Sequence, residues 1–187
     1  MHKFSPQNAH KLERPERYEL LKPRETLRRF GLREGMTFID VGAGTGFFTR
    51  VASEIVGSAG TVYATDISME MIDKMKRAGV GTNVHLMHSK ELSVPVPDGV
   101  ADMVLASFVF HETTDRRALM GEIHRAAKAG AKILIIEWKK QDEADGPPAG
   151  ERLDENELWQ ELRSSGAYEH GSLNGSHYYI LAKEPEA

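Results

Sequence analysis

Acidic and titratable residues stand repeatedly at the ends of apolar runs in this chain: Asp40 after Phe38-Ile39, Asp66 after Thr61-Val62-Tyr63-Ala64-Thr65, His111-Glu112 after Val104-Leu105-Ala106, and Glu137 after Ile133-Leu134-Ile135-Ile136. Asp40 leads into Gly42-Ala43-Gly44-Thr45-Gly46. Glycines there allow positive φ and remove the Cβ atoms that would hold a ligand off the backbone. A carboxylate two residues before the first glycine sits poorly beside a pyrophosphate and well beside an ammonium group, because opposite charges favour each other where water is partly excluded. Asp66 can accept two hydrogen bonds from a ribose diol, and its charge rejects a 2′-phosphate. The other use of an Asp there is a helix N-cap, a job that Ser68 can take instead. His111 titrates near neutral pH, so it can take a proton from a reacting group, or it can open the next helix and bond a loop carbonyl.

The elements that must position these residues follow from periodicity. Residues 36–41 read as a strand and 46–56 as a helix, with Phe47, Phe48, Val51, Ala52, Ile55 and Val56 on its core side. Strands over 61–65, 83–87, 100–106 and 131–137 alternate with helices over 69–77 and after Asp115, the latter turning Leu119, Ile123 and Ala127 inward and ending before Gly130. Trp138 to Leu153 is a loop holding Gly146-Pro147-Pro148, of a length common to lids and disordered segments. Asp154 caps a helix that buries Leu158, Trp159 and Leu162. Residues 168–173 and 177–182 form a hairpin around Asn174-Gly175, with His177, Tyr178 and Tyr179 read as a solvated and buried alternation. Alternating strands and helices followed by a hairpin make an α/β fold.

A dinucleotide loop places its third glycine one position later, where this chain has Phe47, so a nicotinamide ligand is disfavoured. Asp-x-Gly-x-Gly-x-Gly over 40–46, with Asp66 in register, instead resembles motifs I and II of the class I S-adenosylmethionine-dependent methyltransferases. The resemblance covers roughly residues 25 to 183. It implies a Rossmann-like three-layer sandwich with a seven-stranded, mostly parallel sheet and a C-terminal antiparallel hairpin. The expected organisation is one domain over 1–187, with 1–23 as an N-terminal arm or lid and 24–187 as the core.

The same resemblance implies S-adenosylmethionine as cofactor and a small-molecule methyl acceptor. It assigns Asp40, Gly42, Ala43, Gly44 and Gly46 to the amino-acid end of the cofactor, Asp66 and Ile67 to the ribose, and Ala106 and Ser107 to its underside. The slot near the adenine that usually holds Asp falls on Lys90. Glu91, the Ser89 hydroxyl or backbone is left to receive the adenine amino group. His111 and Glu112 face the methyl-transfer side as catalytic candidates, and Phe4, His10 and Glu137 are candidates for acceptor contact. The loop Val94-Pro95-Val96-Pro97-Asp98 and the histidine after the fourth strand resemble the small single-domain enzymes that include the menaquinone and ubiquinone C-methyltransferases. Lys90 keeps a second class open, a non-catalytic module that binds the cofactor or a partner.

Composition narrows the field further. With 187 residues, a formal net charge of -4 and a sequence pI near 6.1, the chain has no basic excess to meet a phosphate backbone, so nucleic acid is not expected as partner. The absence of cysteine excludes disulfides, thiolate metal sites and thiol nucleophiles. No fixed-spacing metal ligand set stands out, and no metal is expected. No apolar run reaches membrane-spanning length and Met1 to Pro6 has no signal-like apolar core, so the expected location is the cytoplasm. The hairpin edge or the arm could pair subunits.

Overall fold

The computed structural model describes residues 6–185. Seven strands form one sheet in the order β3-β2-β1-β4-β5-β7-β6, where β1 is Thr37–Val41, β2 Thr61–Asp66, β3 Val84–His88, β4 Ala101–Ser107, β5 Ala127–Trp138, β6 Ala167–Ser172 and β7 His177–Lys183. The first five pair in parallel, and β7 runs antiparallel to both β5 and β6. The order reverses between β1 and β4. At such a switch point the two following loops leave in opposite directions and open a crevice beyond the strand ends.

Alternation within each strand splits the core into two layers. Phe38, Met103, Leu105, Leu134 and Ile136 point to one face, where they meet α2 (Pro23–Phe30) and α3 (Phe47–Val56). Ile39, Val104, Ile133 and Ile135 point to the other and pack against α5 (Arg116–Ala126) and α6 (Glu155–Leu162). Helix α4 (Met69–Ala78) adds Ile72 and Met75 against Ala64. The result is the three-layer α/β sandwich expected from the pattern. Helix starts follow the chain's own caps: Ser68 accepts from the Met71 N–H, Asp115 from Ala118, and Asp154 from Asn156 and Glu157.

Two expectations change. Helix α5 ends at Ala126, and Ala127 already pairs with Ala101 as the first residue of β5, across an irregularity between Ala101 and Met103. His177, Tyr178 and Tyr179 do not alternate between solvent and core; all three are buried, because β7 is an interior strand covered on both faces. In the described part of the arm, a 3₁₀ segment Pro6–Glu13 is followed by α1 (Pro15–Leu21), whose Leu21 joins the core. No helix among the described residues is long and apolar enough to cross a membrane.

Candidate active site

Gly42, Gly44 and Gly46 have φ values of 67°, 58° and 87°, so the loop after β1 is left-handed at every second residue and open only to glycine. A Cβ on Gly42 would lie 2.6 Å from Cγ2 of Val109. The loop is fastened from three sides. Ala43 N–H donates to the Thr65 carbonyl at 2.9 Å, Gly44 N–H donates to Asp66 Oδ2 at 2.8 Å, and the Thr45 hydroxyl donates to Glu13 of the arm. Asp66 also accepts from the Ser68 N–H at 2.8 Å. Its position at the tip of β2 is as expected, and Ser68 rather than Asp66 caps α4; the carboxylate additionally holds the glycine loop in shape.

Asp40 lies behind this loop, 1% exposed, and accepts the Thr49 hydroxyl on Oδ2 at 2.6 Å while Oδ1 has no partner. Burial, with the nearby Asp66 charge adding to it and the Thr49 bond opposing it, pushes its carboxyl up to about 7. An orphaned carboxylate oxygen beside a glycine turn is the feature an ammonium group would complete.

One cavity of about 840 Å³ runs along the strand ends over this loop. Of the expected cofactor residues, Gly42, Ala43, Gly44, Asp66, Ile67, Ser89, Lys90, Glu91 and Ser107 line it. Asp40, Gly46 and Ala106 stand behind the lining; Ala106 is wholly buried and Gly46 faces Met75. Glu91 is tied down, accepting the N–H and the hydroxyl of Thr114 on Oε1, both at 2.7 Å. Phe47 and Phe48 belong to the core as expected, yet they also form cavity wall.

Strand register brings His111 and Glu137 together. Ser107 pairs with Ile136, so the 3₁₀ turn Phe110–Glu112 that follows β4 sits beside the end of β5. His111 Nδ1–H donates to Glu137 Oε2 at 2.8 Å, and Nε2 lies 3.6 Å from Glu112 Oε1. Burial alone lowers the imidazolium, but the charges and hydrogen bonds of Glu137 and Glu112 outweigh it and push His111 up to about 10. His111 and Glu112 line the cavity; Glu137, 1% exposed, supports them from behind.

The remaining candidates separate. His10 is exposed and borders a shallow hollow with Glu13, Arg50 and Lys74 on the outside of the arm, away from His111. Phe4 lies outside the described residues. Sequence reasoning passed over another part of the cavity wall. Phe108, Trp138 and His177 form an aromatic cluster with ring centroids 4.4 to 5.3 Å apart, and Pro147 and Pro148 of the long loop line the same cavity. His177 donates Nδ1–H to Asn174 Oδ1 at 3.0 Å, which leaves Nε2 a buried acceptor without a partner. Burial, reinforced by the Arg17 charge, pushes His177 down to about 3, so it is neutral. Arg17 of α1 lines the same cavity and was also missed.

Residues 39–135 match the family described as a methyltransferase domain. The ubiquinone/menaquinone biosynthesis C-methyltransferase UbiE of Vibrio cholerae is 34% identical over 121 residues, 63% of this chain and 46% of that protein. The chain thus spans about half the length of such curated relatives. A SAM-dependent methyltransferase from Aquifex aeolicus superposes with a TM-score of 0.91 at 35% identity, over 97% of this chain and all of the other. A phosphoethanolamine N-methyltransferase of Haemonchus contortus, at 16% identity, TM-score 0.73, and 88% and 52% coverage, shares the fold alone. A glycine loop on a switch-point sheet, acids at two adjoining strand tips, and these likenesses converge: the chain belongs to the methyltransferase domain family, as a class I S-adenosylmethionine-dependent methyltransferase.

Proposed function

We propose that the cavity divides into a cofactor half along the glycine loop and Asp66 and an acceptor half between His111 and the Phe108-Trp138-His177 wall, and that the acceptor is a small, flat, largely apolar molecule. The observation that carries this reading is the His111–Glu137 pair, a charged histidine set by a buried carboxylate at the edge of the glycine-loop cavity. When bound, S-adenosylmethionine supplies a sulfonium that is already an activated methyl donor. The chain's residues then have to align the acceptor, exclude water and manage a proton. Asp40 faces the ammonium, and Asp66, with lone pairs beyond its two backbone bonds, takes the ribose. Glu112 takes the acceptor's proton at its carboxylate. Nε2–H of the charged His111 stabilises the anion that results.

Calorimetric titration with S-adenosylmethionine and S-adenosylhomocysteine, alongside Asp66→Ala, tests the cofactor half. Micromolar binding weakened roughly tenfold or more in the variant is the expected result. An acceptor screen for S-adenosylhomocysteine formation, with His111→Gln in parallel, tests the other half. Tight cofactor binding with no turnover on any acceptor would favour the non-catalytic module.

A further inference from the structure

We infer that Arg17 is the anchor for the carboxylate of the cofactor's amino-acid end, so that the donor site is completed by α1, outside the residues that carry the family match. The inference rests on the assignment of this cavity to S-adenosylmethionine.

Arg17 is a half-buried cation with no ion pair among the described residues. Its guanidinium lies 4.5 Å from the Phe47 ring centroid and 5.4 Å from that of Phe108, and one N–H donates to the Leu12 carbonyl at 3.1 Å. Among the described residues no carboxylate forms an ion pair with it, although Glu13 and Asp40 are near enough to be felt. Other cations lining the cavity are placed differently: Arg14 is paired with Asp145, and Lys11 and Lys90 are exposed. Partial burial pulls Arg17 down to about 10, which still leaves it charged at neutral pH. A buried charge is costly until an opposite charge meets it. A guanidinium fork offers parallel N–H donors matched to the two oxygens of a carboxylate.

The slot around Arg17 is built at a conformational cost. Phe108 holds φ at 61°, a left-handed value that a bulky residue adopts only when its surroundings impose it, and its N–H is fixed to the Ile136 carbonyl at 2.8 Å. Phe47 is the first residue of α3, directly after Gly46, so the aromatic slot opens where the glycine loop ends. Asp40 with its orphaned oxygen stands behind that loop, and Arg17 stands over it from the arm. The two charges match the two ends of a zwitterion, ammonium toward Asp40 and carboxylate toward Arg17. Lys at position 17 would keep the charge and lose the fork.

The test compares S-adenosylhomocysteine with 5′-deoxy-5′-methylthioadenosine, which lacks the amino-acid end, by calorimetry on wild type, Arg17→Met and Arg17→Lys, each checked for an unchanged circular-dichroism spectrum. Arg17→Met should weaken S-adenosylhomocysteine by roughly 10- to 100-fold and leave methylthioadenosine unchanged, with Arg17→Lys in between. In wild type, S-adenosylhomocysteine alone should slow tryptic cleavage of the arm. Equal loss of both ligands in the Met variant, or no loss of either, overturns the inference while the cofactor site stands. If Arg17→Met is misfolded, the Lys variant decides, since selective weakening of S-adenosylhomocysteine supports the anchor and equal affinity for both ligands relative to wild type overturns it. Failure of wild type to bind either ligand overturns instead the assignment of the cavity.

Discussion

His111 and Glu137 meet at 2.8 Å although one follows β4 and the other ends β5, because the parallel register of those strands sets Ser107 opposite Ile136. Glu137 also reaches the backbone N–H of His111 at 3.3 Å, so a single buried carboxylate fixes both the ring and the turn that carries it. Glu137→Gln keeps the shape and removes the charge. Turnover should fall by roughly 100-fold while the affinity for S-adenosylhomocysteine holds; equal activity in the variant would remove Glu137 from the proton chemistry.

The same pair makes a pH statement. His111 is raised in the folded protein from 6.5 to about 10, so its contribution to stability is fully present below 6.5 and is lost as pH climbs to about 10. The stability gap between wild type and His111→Gln, measured by urea unfolding at about pH 6, 8 and 10, should be widest at the lowest value and close at the highest. A constant gap would show that the folded protein does not hold His111 charged.

Asp40 acts in the same direction over a lower pH range. Its carboxyl is raised from 3.8 to about 7 by burial, so between those values the native state keeps a proton that the unfolded chain has released, and stability declines as pH rises. Asp40→Asn removes that decline. Whatever fixed cost the amide carries, the stability difference should move in favour of the variant from about pH 4 to 7 and stay level above. Affinity for S-adenosylhomocysteine should drop about tenfold or more at neutral pH.

Gly42→Ala tests the loop. Its Cβ would strike Val109, at the start of the turn that bears His111, and its φ of 67° would be strained as well. A loss of ~1–3 kcal/mol in chemical denaturation is expected. Adding Val109→Ala should recover the part due to the clash and leave the part due to φ. No recovery would assign the whole loss to the backbone.

Arg152 tests the long loop. Its side chain is fully buried and donates to the carbonyls of Pro147, Lys139 and Asp145 and to Glu143 Oε2, at 2.7 to 3.0 Å. Arg152→Ala strands those acceptors. Proteolytic cleavage between residues 139 and 152 should rise and the KM for the acceptor should rise with it, while affinity for S-adenosylhomocysteine stays put. A fall in cofactor affinity of the same size would place the loop in the donor half.

The glycine-loop side of the cavity was legible because each of its parts is local. Three glycines at alternate positions announce the loop, and an acid at the tip of an apolar run announces itself. What escaped was whatever depends on distant register or on covering. His111 and Glu137 were both singled out, but nothing in either neighbourhood says that they touch. The His177-Tyr178-Tyr179 alternation failed because strand order, not strand sequence, makes β7 an interior strand. Arg17 read as one more charge in a polar arm, since the rings of Phe47 and Phe108 that enclose it come from other elements. His10 borders a different hollow from His111, as a side chain on a short helical segment faces one side or another according to phase alone.

Arg152 gathers its bonds almost wholly from its own loop, between Lys139 and Pro147. That segment therefore carries its shape with it. Exchanging the segment as a block therefore leaves the glycine loop and the acids on β1 and β2 untouched.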